Sequence, residues 1–122
     1  MGDGDGAEME NKATVLRVYQ AFHNRDLRSL DELLAPDFVD HTAGPEQAPG
    51  PEGIKQAWAR MFAAYPALRI TVEDLVAEGY KVASRVIFSG AGPDGTSEAT
   101  MMEMAHVSGG KVVELWNIVK WT

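Results

Sequence analysis

The sequence predicts an α+β domain in which a curved antiparallel sheet wraps round N-terminal helices. Three observations carry that expectation. Apolar residues recur at helical spacing in three stretches before residue 66. From residue 68 onward the pattern turns to four β-type segments parted by glycine-rich turns. Helices first, then a strand meander, is the α+β order of elements.

The start, "MGDGDGAEME", is acidic and reads as a disordered tail over residues 1–10, leaving 11–122 as one domain. Asn11 can cap a first helix reaching about Asn24, with Val15, Val18, Tyr19 and Phe22 on one stripe. Asp26 can cap a second, short helix whose Leu27, Leu30, Leu33 and Leu34 face one way until Pro36 stops it. "DFVDHT", residues 37–42, reads as a short β segment. "AGPEQAPGPEG" packs three prolines and three glycines into eleven residues and must be loop. A third helix is predicted over Glu52 to Tyr65, its apolar face built from Ile54, Ala57, Trp58, Met61, Phe62 and Tyr65. The strands are "LRITVEDLVAEG", "YKVASRVIFSG", "SEATMMEMAHV" and "KVVELWNIVKW".

The last hairpin decides which side chains share a face. A two-residue Gly109-Gly110 loop would pair Ser108 with Lys111 and Glu103 with Trp116. A three-residue loop would set Glu103 opposite Leu115 and diagonal to Asn117. A one-residue slip exchanges the faces, so the two are exclusive. Composition favours the three-residue loop: Met101, Glu103, Ala105 and Val107 then join Val113, Leu115, Asn117 and Val119 on an apolar face with one acid and one amide. A carboxyl on such a wall must be paired or hold its proton more tightly than usual.

Composition sets limits on function. In 122 residues the net charge is −7, which argues against nucleic-acid and anionic-membrane partners. With no cysteine there is no disulfide, thiol catalysis or cysteine-based zinc site, and His23, His41 and His106 lack metal-ligand spacing. No apolar run approaches membrane length, and a cytoplasmic location is expected.

Three stretches, "YQAFHNRDLRSLDELLAPDFVDHT", "GPEGIKQAWARMFAAYPALRITVEDLVAEGYKVASRVIFSG" and "GGKVVELWN", resemble the SnoaL-like polyketide cyclases. That family is one of the cone-shaped α+β barrels that include nuclear transport factor two, ketosteroid isomerase and limonene epoxide hydrolase. The resemblance implies an enclosed pocket. It also locates departures. The cyclases' usual histidine and aspartate fall on Glu103 and Asn117, and a further aspartate falls on Lys120. Arg85 matches an arginine of the epoxide hydrolases, whose two aspartates fall on Ile87 and Asn117. Tyr19 matches the first-helix tyrosine of the isomerases, whose base falls near Thr42, beside Asp40 and His41.

The reading that follows is a small, cofactor-independent cyclase or isomerase acting by acid–base chemistry on a hydrophobic, carbonyl-rich substrate. Glu103 would move the proton, while Arg85, Asn117 and His41 would steady developing negative charge. Tyr19, Trp58, Phe62, Met61, Leu115 and Met101 would bind substrate, and no metal is required. An epoxide or lactone hydrolase with a pocket-activated water, or a non-catalytic ligand-binding dimer, are the alternatives. On the other sheet face Met102, Met104, Trp116 and Ile118 predict a homodimer.

Overall fold

The computed structural model describes the backbone of residues 3–122 and side chains from residue 6. The order is α1 (Asp3–His23), α2 (Leu30–Leu33), β1 (Leu34–Asp40), α3 (Gly50–Ala64), β2 (Arg69–Glu78), β3 (Lys81–Ala91), β4 (Ser97–Ser108) and β5 (Lys111–Trp121). One five-stranded sheet runs β1-β5-β4-β3-β2, with β1 parallel to β5 and the other pairs antiparallel. The β2–β3–β4–β5 meander therefore stands where alternation and glycine turns put it, with helices on the concave side.

The first helix is longer than predicted. The acidic stretch expected to be disordered is helical from Asp3, and residues 1 and 2 lie outside the described residues. A tertiary clamp explains the extension. The Gly79 N–H donates to Glu8 Oε2 at 2.7 Å, and Asn11 Nδ2 donates to the Gly79 carbonyl at 3.0 Å. This pins the start of α1 to the β2–β3 turn. The second helix shrinks to one turn, because the chain extends from Leu34 and passes through Pro36 as an edge strand, where a missing N–H is tolerated.

Four irregularities shape the sheet, one between Leu34 and Val39 on β1, one between Val72 and Asp74 on β2, one between Phe88 and Ala91 on β3 and one at the β4–β5 hairpin. Such bulges bend strands and increase twist, which lets the sheet curl over α1 and α3. The core fills the concavity: Val15, Leu30, Leu34, Phe38, Val82, Val86, Met101, Ala105, Val107 and Val112 are all buried. At one end Phe22 sits edge-on to Trp58, Phe62 and Phe88, with ring centroids 5.0, 5.0 and 5.6 Å away. Edge-to-face packing of this kind suits the aromatic quadrupole. Among the described residues no helix is long and apolar enough to cross a membrane.

The final hairpin corrects the predicted loop. Gly109 and Gly110 both have positive φ, 58° and 76°, and form the two-residue turn whose twist matches its strands. Ser108 pairs with Lys111 and Val107 with Val112. The register then shifts, His106 pairing with Glu114, so that Val113 is the extra residue. Glu103 lands directly opposite Asn117, neither opposite Leu115 nor opposite Trp116. The face expected for these two is retained, because the bulge restores the parity that the shorter loop would have reversed. Val112 rather than Val113 is the buried valine.

Gly90 shows how closely β3 approaches the connection from α3 to β2. Its φ is +80°, and a Cβ there would stand 2.1 Å from the Ala67 carbonyl oxygen. At Gly109 the same atom would meet nothing within 4 Å. Gly109→Ala should therefore cost about 1–2 kcal/mol of left-handed backbone strain. Gly90→Ala should cost clearly more, as a larger drop in the denaturation midpoint; equal losses would contradict the close approach.

Candidate functional site

Between α1, α3 and the concave sheet lies a cavity of about 340 Å³. That is at the lower end of the roughly 300–1,000 Å³ typical of small-molecule sites. Its walls are mostly apolar: Val18, Phe22, Leu34, Phe38, Ile54, Ala57, Met61, Leu68, Ile70, Phe88, Met101, Leu115 and Val119 among them. Polar atoms enter from Tyr19, Asp40, Gln47, Glu103 and Asn117.

Three of these, Tyr19, Glu103 and Asn117, form one connected group with Ser84 behind them. Ser84 on β3, Glu103 on β4 and Asn117 on β5 are cross-strand neighbours in a single row on the concave face. Tyr19 comes down from α1 and donates its hydroxyl proton to Glu103 Oε1 at 2.6 Å. Asn117 Nδ2 donates to Glu103 Oε2 at 3.2 Å. The Tyr19 hydroxyl also bonds Ser84 Oγ, which donates when the phenol proton is committed to Glu103. Tyr19 is 5% and Ser84 3% exposed, so both are held by packing as well as by hydrogen bonds. Among the described residues no buried side-chain polar atom lacks a partner. Desolvation holds the Glu103 carboxyl above its ordinary value of 4.5; the bonds from Tyr19 and Asn117 oppose that shift, and the charge of Asp40 adds to it. Burial, followed by the charge of Glu103, pushes the Tyr19 phenol far upward, so it acts as a donor and stays protonated.

At the end of β1, Asp40 is held from both sides. Its Oδ1 accepts from the Thr42 N–H at 3.1 Å and the Thr42 hydroxyl at 3.2 Å, and its Oδ2 accepts from Gln47 Nε2 at 3.2 Å. Thr42 Oγ1 in turn accepts the Asn117 N–H at 3.0 Å, tying this loop to β5 beside the Glu103 row.

Three residues expected in the site, Arg85, His41 and Phe62, are elsewhere. Arg85 lies on the outer face, its Nε donating to Asp74 Oδ2 at 2.7 Å, because strand alternation turns Val82, Ser84 and Val86 inward instead. His41 is likewise outside. It stacks on Trp116 with centroids 4.3 Å apart and meets Glu114 Oε2 through Nε2 at 2.7 Å. Glu114 reaches His106 Nδ1 as well, at 2.9 Å, and the two histidine bonds hold its carboxyl below its usual range. Phe62 is off the cavity wall, packed on Phe22 and under the Arg25 guanidinium, 4.5 Å from its ring centroid. Tyr19, Trp58, Met61, Met101, Leu115, Glu103 and Asn117 are brought together on the cavity. Ser84, Asp40 and Gln47 had not been singled out for this site. The alternation Phe38, Asp40 and the parity of Ser84 with Val82 and Val86 were the available signals.

A family model described as SnoaL-like polyketide cyclase matches residues 13–120. The fold is similar to that of wild-type IdmH, a proposed polyketide cyclase from Streptomyces antibioticus, at 33% identity and TM-score 0.78, covering 90% of this chain and 91% of that one. A loop-truncated IdmH variant matches at 34% identity and TM-score 0.79, over 90% and 92% of the two chains. A proposed polyketide cyclase from Bacillus cereus matches at 26% identity and TM-score 0.85, over 91% of this chain and 74% of that one. No curated protein sequence matches.

The raised Glu103 value has a thermodynamic consequence. Between the ordinary glutamate range and the raised folded value, the native state binds the extra proton, so stability falls as pH rises through that window. Glu103→Gln removes the titration. Chemical denaturation from about pH 5 to about pH 8 should show wild type losing stability relative to Glu103→Gln. A pH-independent difference would contradict the assignment.

Proposed function

The chain belongs to the SnoaL-like polyketide cyclase family, and we propose that it is a cofactor-independent cyclase acting on a hydrophobic, carbonyl-rich substrate. The carrying observation is a buried carboxyl, Glu103, on a mostly apolar cavity wall, tied to Tyr19 and Asn117, where desolvation raises its proton affinity. A neutral carboxyl in a desolvated pocket is a strong donor toward a carbonyl oxygen that gains negative charge in the transition state. Ring closure of a polyketide-like chain makes such an oxygen. As an enolate carbon bonds to a ketone carbon, the ketone π pair moves onto oxygen, and Glu103 supplies its proton. The amide of Asn117 still has one N–H and its carbonyl oxygen for orienting substrate. The apolar lining selects a greasy substrate.

Positioned proton transfer contributes ~10²–10⁴-fold to rate. In single-turnover cyclisation assays with poly-β-ketone surrogates, Glu103→Gln should lose ~10²-fold or more while its thermal melt is retained. Undiminished turnover would remove Glu103 from the chemistry. The cyclised product should gain no water from solvent; a product heavier by one water, carrying labelled solvent oxygen, would indicate hydrolysis instead.

The proposal extends to assembly. On the convex face Met102, Met104 and Ile118 are 53%, 37% and 75% exposed, flanking Trp116. An apolar patch of this kind, rimmed by Arg85, Asp74 and Lys120, suits a homodimer contact. Sedimentation should give a dimer that Ile118→Lys disrupts; a wild-type monomer at micromolar concentration would contradict it.

A further inference from the structure

From the lining of the cavity we infer that Asp40 is a second catalytic residue, the base that removes a proton from the substrate carbon next to a carbonyl. This deepens the acid–base reading above and rests on it. Among the described residues lining the cavity, Asp40 and Glu103 are the two carboxyl groups. They stand in opposed surroundings. Glu103 is set among apolar side chains, with one donor on each oxygen. Asp40 closes β1 beside a polar loop and accepts from Thr42 and Gln47. Environments that differ in this way divide two carboxyls into an acid and a base.

The hydrogen bonds also name the reacting atom. A carboxylate oxygen has about two lone pairs for acceptance. On Oδ1 both are engaged by Thr42, through its N–H and its hydroxyl, whereas Oδ2 has Gln47 alone. The free position on Oδ2 is where a proton can arrive. Thr42 and Gln47 fix the carboxylate so that it need not reorganise when it reacts.

The step balances. The Asp40 carboxylate takes the proton from carbon, and the C–H pair becomes the enolate π bond. That carbon then bonds to the second carbonyl carbon, whose π pair moves to oxygen and is protonated by Glu103. Asp40 ends protonated and Glu103 ionised, and one proton exchanged through solvent restores both. The negative charge of Asp40 also helps Glu103 to keep its proton beforehand, alongside burial and against the donors Tyr19 and Asn117.

The test uses α-tetralone, a compact aryl ketone, as probe in heavy water, with deuterium uptake beside its carbonyl followed by NMR. Asp40→Asn should reduce the exchange rate by ~10²-fold or more, and Asp40→Glu should recover part of it. In Asp40→Asn a flip of the Gln47 amide preserves the hydrogen bond, so the fold is retained, checked by thermal melt. Equal exchange by Asp40→Asn and wild type, with Glu103→Gln impaired, would overturn the role of Asp40 and leave the Glu103 reading standing. No exchange by wild type above buffer would overturn both. Independently of any probe, the Glu103 titration midpoint, read from its carboxyl carbon, should fall in Asp40→Asn; an unmoved midpoint would overturn the coupling.

Discussion

Everything in this molecule is arranged around one carboxyl group that is kept out of bulk water yet never left without a partner. Burying Glu103 costs free energy unless its oxygens are engaged. Tyr19 engages one from α1, and Asn117 engages the other from β5. Ser84 completes the row from β3 by bonding the same phenol. Two elements, α1 and β5, thus reach a side chain carried by β4, while β3 braces the phenol, and each must keep its position for the others to be satisfied. Removing one donor would leave buried polar atoms unpaired, so the network ties the tertiary fold to the chemistry of the cavity.

The curvature of the sheet serves the same constraint. A flat sheet would lay the Glu103 row against α1 and close the space between them. The bulges on β2 and β3 and at the last hairpin curl the strands, and α3 stands off far enough to leave a hollow. Phe22, Trp58 and Phe88 pack one end of that hollow with rigid rings, backed by Phe62, while Asp40 at the end of β1 and Gln47 in the following loop also line it. The result is a cavity with an apolar body and two chemically distinct carboxyls on its wall.

Much of this was legible from residues alone. Periodicity located the strands of the meander nearly to the residue, and the apolar composition of one face placed Glu103 and Asn117 together. The pairing itself was not legible, because a turn and a bulge can combine to give the same parity as a longer turn, and Val113 carries no mark of being the extra residue. Arg85 and His41 were misplaced for a different reason. Each is a chemically attractive residue next to a plainer one, and alternation points the plainer neighbour, Ser84 or Asp40, toward the interior. The parity of Val82, Val86 and Phe38 held that information. The helical start of α1 was hidden because its anchor, the Gly79 backbone, is distant in the chain.

Glu103 keeps its proton under conditions where an ordinary glutamate has begun to lose it. Isotope-edited infrared spectroscopy on protein with labelled glutamate, compared with Glu103→Gln, reads that state directly. Just above the ordinary glutamate range, a neutral carboxyl C=O band is expected that is missing from the variant. Carboxylate bands alone, identical in both proteins, would contradict it.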